Sequence, residues 1–535
     1  MRRCSMIRPF EPRTIIQKSK RILKQILLVA FIYSFTLSGV SWAATYEVGP
    51  DQAYPTIASV PPLNPGDIVN IHPGTYNEVK KWTATGTATS PITLHGVGTP
   101  RPVIDATGQD VSGRNGAPRA AWEIQGNYYL IQNLEFRNAR NGNNGAGIRV
   151  LNANATTVRN CKITYCDMGM MSSSNDNLLV EYCEVAYNGT SKYNGYSHNF
   201  YLAGGNTIVR FCYIHDALYG QNFKTRGHYT DLSYNYIADS NEGEVGPVDG
   251  TDTAAPTSNM TMIGNLVISK PNRTGNTSKF IDFGQDSGGS HNGTLYLINN
   301  TLIAGSPAIG FLRASAADSF IVAVNNVFYG SDTIVQAGYE SRVNGNNNWI
   351  PSTAANPPGF GSTISGTSPG FVDTLLRDYY LSSASLCRNA GSNSPIYLDG
   401  AGVSHSGVPV SEYVRHVNSA TRASDCCLDL GAYEYGTALP NQPPFVSAGP
   451  NQTVTLETGA SLSGAIRDDG LPNPPAMVTT TWSTVSGRGT VTFGNANATH
   501  TTANFSRAGT YVLRLTARDS ALSDFDDVTI VVTRH

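Results

Sequence analysis

A pattern of apolar positions recurs along the chain from residue 131 to residue 328. Each copy has an apolar residue, a middle residue three positions later, and a second apolar residue two positions after that. Successive middle residues lie 22 to 35 positions apart. Short strands and polar turns at such a period predict a parallel β-solenoid with one copy in each coil. The middle residues are Leu134, Cys161, Cys183, Cys212, Asn235, Asn265, Asn300 and Asn326, the last in a copy (Val324 to Phe328) that is one residue out of register.

The middle position changes from cysteine in the early copies to asparagine in the later ones. Equivalent positions of a parallel solenoid stack about 4.8 Å apart. Asparagine at a bend can bond the backbone and the next asparagine, and cysteine is small and apolar enough to fill the same place. A metal cluster is the less favoured alternative, because stacked side chains point in parallel rather than converging. We therefore predict one stacked column of Asn235, Asn265, Asn300 and Asn326, continued by Cys161, Cys183 and Cys212.

Another short strand precedes the column position of each coil by about 11–13 residues. Alternation along these strands predicts inward side chains at Ile148, Met170, Phe200 and Phe223. The residues that follow them then share one outer face: Arg149, Met171, Tyr201 and Lys224, with Arg226 two places beyond Lys224. Long loops, such as 188–199 and 239–252, enter these strands from one side. We expect them to wall a groove along this face.

Two further stretches carry a family resemblance. The segment LNPGDIVNIHPGTY (63–76) is similar to the first coils of right-handed parallel β-helix proteins. The stretch from DYYLSS (378–383) through NAG (389–391) to DLGAYEY (429–435) resembles the terminal segment of many secreted members. Together with the repeats, residues 44–375 resemble the pectate-lyase-like superfamily, and residues 376–440 would form the C-terminal cap and linker. The resemblance implies an all-β fold, a right-handed parallel β-helix.

The last segment, residues 441–535, has a different pattern. After the stiff linker NQPP (441–444), alternating strands are typical of an antiparallel β-sandwich. The stretches AGPNQTVTL (448–456), DDGLP (468–472) and TTTWSTVSG (479–487) resemble a PKD-type immunoglobulin-like module. No catalytic constellation is visible there, so we interpret it as a spacer or a glycan-binding appendage.

The first 43 residues predict a signal peptide. A basic start precedes the apolar run ILLVAFIYSFTL (26–37), and Ser41 to Ala43 offer small residues for cleavage. An uncleaved anchor is less favoured, because the run is short for a span of about 20 residues. We expect a secreted protein, extracellular, periplasmic or on the cell surface, that is monomeric and not inserted in a membrane.

Removal of the signal leaves 29 Lys and Arg against 38 Asp and Glu. A general nucleic-acid binder is disfavoured by this balance. Seven cysteines remain, too few for a disulfide scaffold. Near the C-terminus of the helix, Cys387 is expected to pair with Cys426 or Cys427.

The outer face carries the candidate chemistry. In enzymes of the resembled superfamily, the substrate groove lies along the first strand of each coil, where Tyr201, Lys224 and Arg226 fall. β-Elimination of a uronate polymer needs a base, a cation for the enolate and an acid. Lys224 is the candidate base, Arg226 or Arg149 the carboxylate clamp, and Tyr201 or His198 the acid. Further candidate substrate contacts are Asn222 and His228.

This arrangement is similar to the Lys/Arg pair of chondroitinase-B and alginate-lyase β-helices, which place the pair on neighbouring coils. Here Lys224 and Arg226 share one strand, and a solvated face is the alternative interpretation. Asp249 and Asp282 are candidate calcium ligands or hydrolase acids; no other cofactor is indicated. We rank a polysaccharide lyase first, a glycoside hydrolase second because no compact carboxylate pair is visible, and a glycan-binding surface protein third.

Overall fold

A computed structural model of the chain describes residues 43–275, 279–423 and 427–534. The predicted signal peptide therefore lies outside the described residues, except for Ala43. Thr45–His535 form one compact unit. Most of it is a parallel β-helix whose coils each pass through three strand positions, so that three parallel ladders run along the helix. The expected solenoid is thus confirmed.

The first ladder, which we call the groove face, is the one that carries the predicted outer column. Its strands are Lys80–Trp82, Ala120–Ile124, Ala146–Leu151, Met168–Ser173, the first halves of Phe200–Arg210 and Phe223–Ser233, Val245–Pro247, Lys279–Phe283 and Gly310–Ala314.

The second ladder contains the second halves of the two long strands and Thr45–Val48, Ile68–Ile71, Ile92–Gly96, Tyr129–Gln132, Thr156–Arg159, Leu178–Glu181, Met260–Ile263, Gly293–Ile298, Ser319–Val324, Val343–Asn346 and Phe360–Gly361. The third contains Thr75–Tyr76, Val103–Asp105, Glu135–Arg137, Lys162–Thr164, Glu184–Ala186, Tyr213–His215, Tyr236–Ala238, Leu266–Ile268, Thr301–Ile303, Val327–Tyr329, Trp349–Pro351 and Ile364–Gly366. Short 3-10 turns occur at Ser191–Tyr193, Asp252–Ala254 and Glu340–Arg342.

The register of the groove face matches the predicted alternation. Ile148 pairs with Met170, Met170 with Phe200, and Phe200 with Phe223. All four side chains are fully buried in one continuous apolar core. Burial of such side chains stabilises each coil by roughly 1.5–3 kcal/mol per residue. The neighbouring residues on the same strands, from Arg149 to Lys224, consequently share the outer face.

The predicted Asn and Cys column is also confirmed. Each Asn Oδ1 accepts the backbone N–H of the preceding column residue, at 2.9 Å from Cys212 to Asn235 and 3.0 Å from Asn265 to Asn300. The cysteines do the same with sulfur: Cys183 Sγ accepts the N–H of Cys161 at 3.4 Å and donates to the Glu181 carbonyl at 3.3 Å. Burial raises the pKa of the Cys183 thiol, which keeps the proton needed for that donation.

Two details of the column differ from the sequence pattern. Leu297 pairs with Ala323, so the final copy begins at Ala323 rather than Val324 and is in register after all. The column also continues to Asn348, whose Oδ1 accepts the N–H of Asn326 at 2.9 Å. The sequence pattern assigned the first apolar position of this copy to Val324, because Val324 is larger than the neighbouring buried Ala323.

We predict that the column tolerates an oxygen in place of sulfur but not an apolar substitute. Cys183→Ala leaves the Cys161 N–H without its acceptor inside the core and should lower the free energy of unfolding by about 2 kcal/mol. Cys183→Ser, which keeps a donor and an acceptor, should cost less than half as much. Urea unfolding of both variants measures this, and equal costs would contradict the hydrogen-bonding role of the thiol.

Three antiparallel hairpins follow the helix: Phe371–Asp373 with Asp378–Leu381, Ile396–Leu398 with Ser404–Ser406, and Ser411–Val414 with Asn418–Thr421. The expected disulfide of Cys387 is not formed. Cys387 is a free, fully buried cysteine in an apolar cluster with Val327 and Trp349. Of its two candidate partners, Cys426 lies outside the described residues. Packing rather than cross-linking therefore accounts for Cys387.

The C-terminal segment is a β-sandwich with its own apolar core around Trp482. One sheet contains Gln452–Thr455, Ser523–Thr533, Gly509–Arg518 and Thr479–Ser486, and the other contains Ala460–Ser463, His500–Phe505 and Val491–Phe493. Phe445–Ser447 and Ala465–Arg467 form an additional pair. An ion pair between Arg415 of the last hairpin and Asp524 connects the sandwich to the cap.

Candidate functional site

A cleft of about 570 Å³ opens on the groove face where Tyr201 and Lys224 lie on adjacent coils. Its floor comes from three coils and its wall from the loop between Asn188 and Asn199, which confirms the expected position of that loop. The cleft is lined by Asn143, Asn144, Met168, Met171, Ser191, Lys192, Tyr193, Asn194, Tyr196, His198, Tyr201, Lys224 and Arg226. Four of the residues predicted as catalytic therefore lie in one cleft.

A single carboxylate joins the two cations of this cleft. Lys224 Nζ lies 2.5 Å from Asp286 Oδ2, and Arg226 Nη2 donates to Asp286 Oδ1 at 2.7 Å. The Lys224 side chain is only 9% exposed. Lys224 is thus a member of an ion-pair cluster with Asp286 and Arg226.

Tyr201 is the aromatic member of the cluster. Arg226 Nε donates to Tyr201 Oη at 2.9 Å, so the phenolic O–H remains available as a donor. Lys224 Nζ and the Arg226 guanidinium also lie within 6 Å of the ring centroid, at 5.9 and 5.8 Å. Cations at this range over an aromatic ring attract it electrostatically. The phenol is consequently held in place beside both charges.

His198 lies beside Tyr201, with 5.6 Å between the ring centroids, and is almost fully buried. Burial, with the nearby Lys224 and Arg226 charges, lowers the pKa of His198 well below its ordinary value. His198 Nδ1 accepts the backbone N–H of Gln221 at 3.0 Å, which places the proton of the neutral ring on Nε2. A neutral imidazole is a poor proton source, so this environment favours a hydrogen-bond donor rather than the predicted acid.

The turn that carries Asp286 is held by Asp249. Asp249 Oδ1 accepts the backbone N–H groups of Asp286 (2.6 Å) and Ser287 (3.1 Å), while Oδ2 accepts those of Gly289 (2.7 Å) and the Ser287 hydroxyl (2.7 Å). These hydrogen bonds lower the pKa of Asp249 well below its usual range. Asp249 therefore uses its oxygens to fasten a loop.

Removal of that carboxylate should weaken the loop. We predict that Asp249→Ala lowers the free energy of unfolding by about 2–3 kcal/mol at neutral pH, because hydrogen bonds to a charged acceptor are lost. A group with a depressed pKa stabilises the fold above its ordinary value of 3.8, and this contribution is lost as the pH falls below it. Urea unfolding between pH 7 and pH 3 should therefore show the difference from wild type shrinking. If the difference in free energy of unfolding between Asp249→Ala and wild type stayed constant over this pH range, the stabilisation would not come from the charge of Asp249.

The second calcium candidate is engaged elsewhere. Asp282 Oδ2 lies 2.6 Å from Lys279 Nζ, and its Oδ1 lies 3.5 Å from Arg313 Nε. Within the described ranges no group of three or more His, Cys, Asp or Glu side chains is arranged to hold a metal ion. The structure does not bring Asp249 and Asp282 together on a shared ion-binding position.

Asn222 is a correction to the predicted contacts. It is fully buried in a second polar ladder, where its Oδ1 accepts from Asn199 Nδ2 at 2.8 Å and its Nδ2 donates to Glu244 Oε2 at 2.8 Å. Asn188 precedes Asn199 in this ladder. The ladder ends at an ion pair in which Arg273 Nη2 lies 2.9 Å from Glu244 Oε1. Asn222 and Glu244 therefore satisfy buried polar groups at another bend rather than facing the cleft.

Two other predicted contacts also lie outside the open cleft. The Arg149 guanidinium is nearly buried and donates to the Asn144 carbonyl at 2.9 Å and toward Met171 Sδ at 3.0 Å. His228 Nε2 lies 2.9 Å from the Gly400 carbonyl, against a C-terminal hairpin. Arg149 thus holds the Asn144 loop, and His228 contacts the cap.

Sequence reasoning missed Asp286 and the tyrosines of the wall, Tyr193 and Tyr196. Asp286 follows the Phe283 strand in a glycine-rich stretch and belongs to no repeated position. Its partners, Lys224 and Arg226, are about 60 residues away along the chain. Only the stacking of coils makes them neighbours, so no local signal identified it.

Comparison with known families agrees with this architecture. The family described as the right handed beta helix region matches residues 109–267, which hold most of the cleft, and a PKD domain family matches residues 448–532. The chain thus folds as a right-handed β-helix protein, and its C-terminal segment matches a PKD domain.

Three solved structures are among those to which this chain is similar. The pectate lyase Pel9A is 18% identical, with 74% of this chain and 98% of that chain covered and a TM-score of 0.51, which shows a shared fold. An alginate lyase from Paenibacillus sp. str. FPU-7 is 15% identical (52% and 98% covered, TM-score 0.29). The PL6 family polysaccharide lyase Pedsa3628 from Pseudopedobacter saltans is 13% identical (62% and 95% covered, TM-score 0.36).

Among the residues that the structure describes, no α-helical or 3-10 segment has the length and apolar character needed to cross a membrane.

Proposed function

We propose that this β-helix protein is secreted, binds an acidic polysaccharide in the cleft over Tyr201 and Lys224, and cleaves it by β-elimination. The observation that carries the proposal is the cluster of Lys224, Arg226 and Tyr201, in which two cations hold one carboxylate and the phenol accepts a hydrogen bond from Arg226. In the free protein that carboxylate is Asp286. A uronate carboxylate offers the same two oxygens to the same two donors.

In the proposed reaction the substrate carboxylate takes the place of Asp286 on Arg226. This frees Lys224 Nζ from its ion pair with Asp286 and leaves it beside the substrate. The amine removes the proton from the carbon beside the carboxylate, and Arg226 stabilises the negative charge that develops on the carboxylate oxygens. The electron pair forms the new C=C bond as the bond to the glycosidic oxygen breaks. Tyr201 donates its proton to that oxygen.

The same geometry gives less support to hydrolysis. A glycoside hydrolase needs a protonated carboxylic acid and a second carboxylate across the bond. Near the cleft, both oxygens of Asp286 are engaged by Lys224 and Arg226, and the lowered pKa of Asp249 keeps that carboxylate charged at neutral pH. Glu244 has a raised pKa of about 7 but is fully buried in the interior ladder.

The test is incubation of the purified mature protein with a panel of acidic polysaccharides. We expect products with unsaturated ends, detected by their ultraviolet absorbance. New reducing ends without unsaturation would replace the proposal by hydrolysis. Retention of polymer without either product would indicate a glycan-binding protein, the third class predicted from the sequence. Products that form only with added calcium would move the chemistry from Lys224 to a metal.

A further inference from the structure

Of the groove-face residues that line the cleft, the two cations, Lys224 and Arg226, lie on one coil. We infer that the substrate is an acidic heteropolysaccharide in which a single uronate is flanked by neutral sugars, rather than a polymer of consecutive uronates. This inference rests on the proposed function of the same cleft. It follows from the outer column, in which each coil presents one side chain about 4.8 Å from the next.

On the N-terminal side of Lys224, the column is apolar where it is open. Tyr201 pairs with Lys224, and Met171 pairs with Tyr201. The next residue, Arg149, lies beneath Asn144 and Met171 and is only 9% exposed. Two successive coils therefore offer a phenol and a thioether. These surfaces pack against the apolar face of a neutral sugar and give no compensation to a carboxylate.

On the C-terminal side, the coil next to Lys224 is neutral. Lys224 pairs with Gly246, which has no side chain. A Cβ at Gly246 would lie 2.3 Å from Gln221 Nε2, so the Gln221 amide occupies the outer position of this coil. One coil further on, the outer residue Asp282 is buried, and its carboxylate is engaged by Lys279 and Arg313. An amide can bond the hydroxyls of a neutral sugar, but it gives no charge compensation to a second carboxylate.

The balance of charges in the cleft has room for one carboxylate. Lys224 and Arg226 pair with one carboxylate, that of Asp286, and the proposed substrate carboxylate takes its place. The other cation of the cleft, Lys192, lies on the exposed wall turn Ser191–Tyr193 and approaches Gly142 rather than Lys224. A homopolymer would place carboxylates against Tyr201 and Met171 between these cations. Carboxylates without a partner there would lose hydration, which disfavours binding.

The experiment uses one uronate in two contexts. The probes are polygalacturonate and the same polymer after partial reduction of its carboxylates to alcohols, which isolates the remaining uronates among neutral sugars. Binding and unsaturated product are both measured, per remaining uronate. We expect the reduced polymer to bind at least fivefold more tightly and to be cleaved faster. Equal or stronger binding of the unreduced polymer would overturn the inference.

A designed variant provides the matched test. Gln221→Lys places an ammonium over Gly246, beside Lys224, where a consecutive uronate would carry its carboxylate. The preference for the reduced polymer should then fall about fivefold, the effect of one ion pair of about 1 kcal/mol. Gln221→Met, which is similar in size and uncharged, should leave the preference unchanged. If both variants kept the wild-type preference, the Gln221 position would not face the neighbouring sugar, which would contradict the inference.

The outcomes separate this inference from the proposed function. Cleavage of both polymers without preference retains elimination and rejects the heteropolymer. Preferential binding of the reduced polymer without unsaturated product rejects elimination and retains the substrate class. Failure to bind either polymer rejects both.

Discussion

Lys224→Ala is expected to lower the formation of unsaturated product by about 10³-fold, within the range observed when a general base is removed. Lys224 lies in the floor of the cleft, where its side chain is nearly buried between Tyr201 and Asp286. The variant keeps Arg226 and its bonds to Asp286 and Tyr201, so polymer retention should persist. Initial rates and affinity electrophoresis on one polymer measure the two effects separately.

Lys224→Arg is the matched variant that separates a base from a cation. A guanidinium keeps the positive charge but does not lose its proton near neutral pH. We therefore expect Lys224→Arg to be as inactive as Lys224→Ala. If it instead retains more than a tenth of the activity, Lys224 acts by neutralising the substrate and another group removes the proton. Full activity of Lys224→Ala would remove Lys224 from the mechanism.

The largest expected effect on stability comes from a buried ion pair below the groove face. Arg273 and Glu244 have side-chain exposures of 1% and 0%, and Arg273 Nη2 lies 2.9 Å from Glu244 Oε1. Arg273→Ala leaves Glu244 at the end of its ladder without a cation and should lower the free energy of unfolding by about 3–5 kcal/mol. Urea unfolding of the full mature chain measures the loss.

Two controls define the cause of that loss. In the double variant Arg273→Met with Glu244→Gln, no unpaired charge remains, so most of the stability should return. Burial raises the pKa of Glu244 to about 7 from an ordinary 4.5. A carboxyl with a raised pKa in the folded state contributes less stability as the pH rises from about 4.5 to 7. Glu244→Gln should remove this part of the pH dependence; an unchanged profile would show that Glu244 does not titrate there.

The repeat pattern and the outer face could both be predicted because they depend on local periodicity. Strand alternation places Ile148 and Phe223 inside and Tyr201 and Lys224 outside, whatever the loops do. The column at Asn265 and Cys183 followed from the same repeat, since equivalent positions of a solenoid must stack. The family comparisons agree with this assignment of the fold.

The parts that the sequence did not reveal depend on long loops. Asp286 reaches Lys224 only through a turn that Asp249 fastens, and neither residue has a repeated position. Asn222 was predicted as a substrate contact and directly precedes the strand Phe223–Ser233. It nevertheless lies at a bend, where its side chain is fully buried. Its hydrogen bonds to Asn199 and Glu244 could not be foreseen, because these partners lie 23 and 22 positions away across irregular loops.

The sequence by itself determined the β-helix, its inward and outward residues, the stacked Asn and Cys column and the face on which chemistry is placed. Each of these follows from a period that neighbouring residues carry. Only the tertiary structure decided that Lys224 is paired with Asp286, that His198 is held neutral and that Asn222 is buried. The physical reason is that pairing, desolvation and access depend on which loops cover a side chain, and loop lengths between coils obey no period.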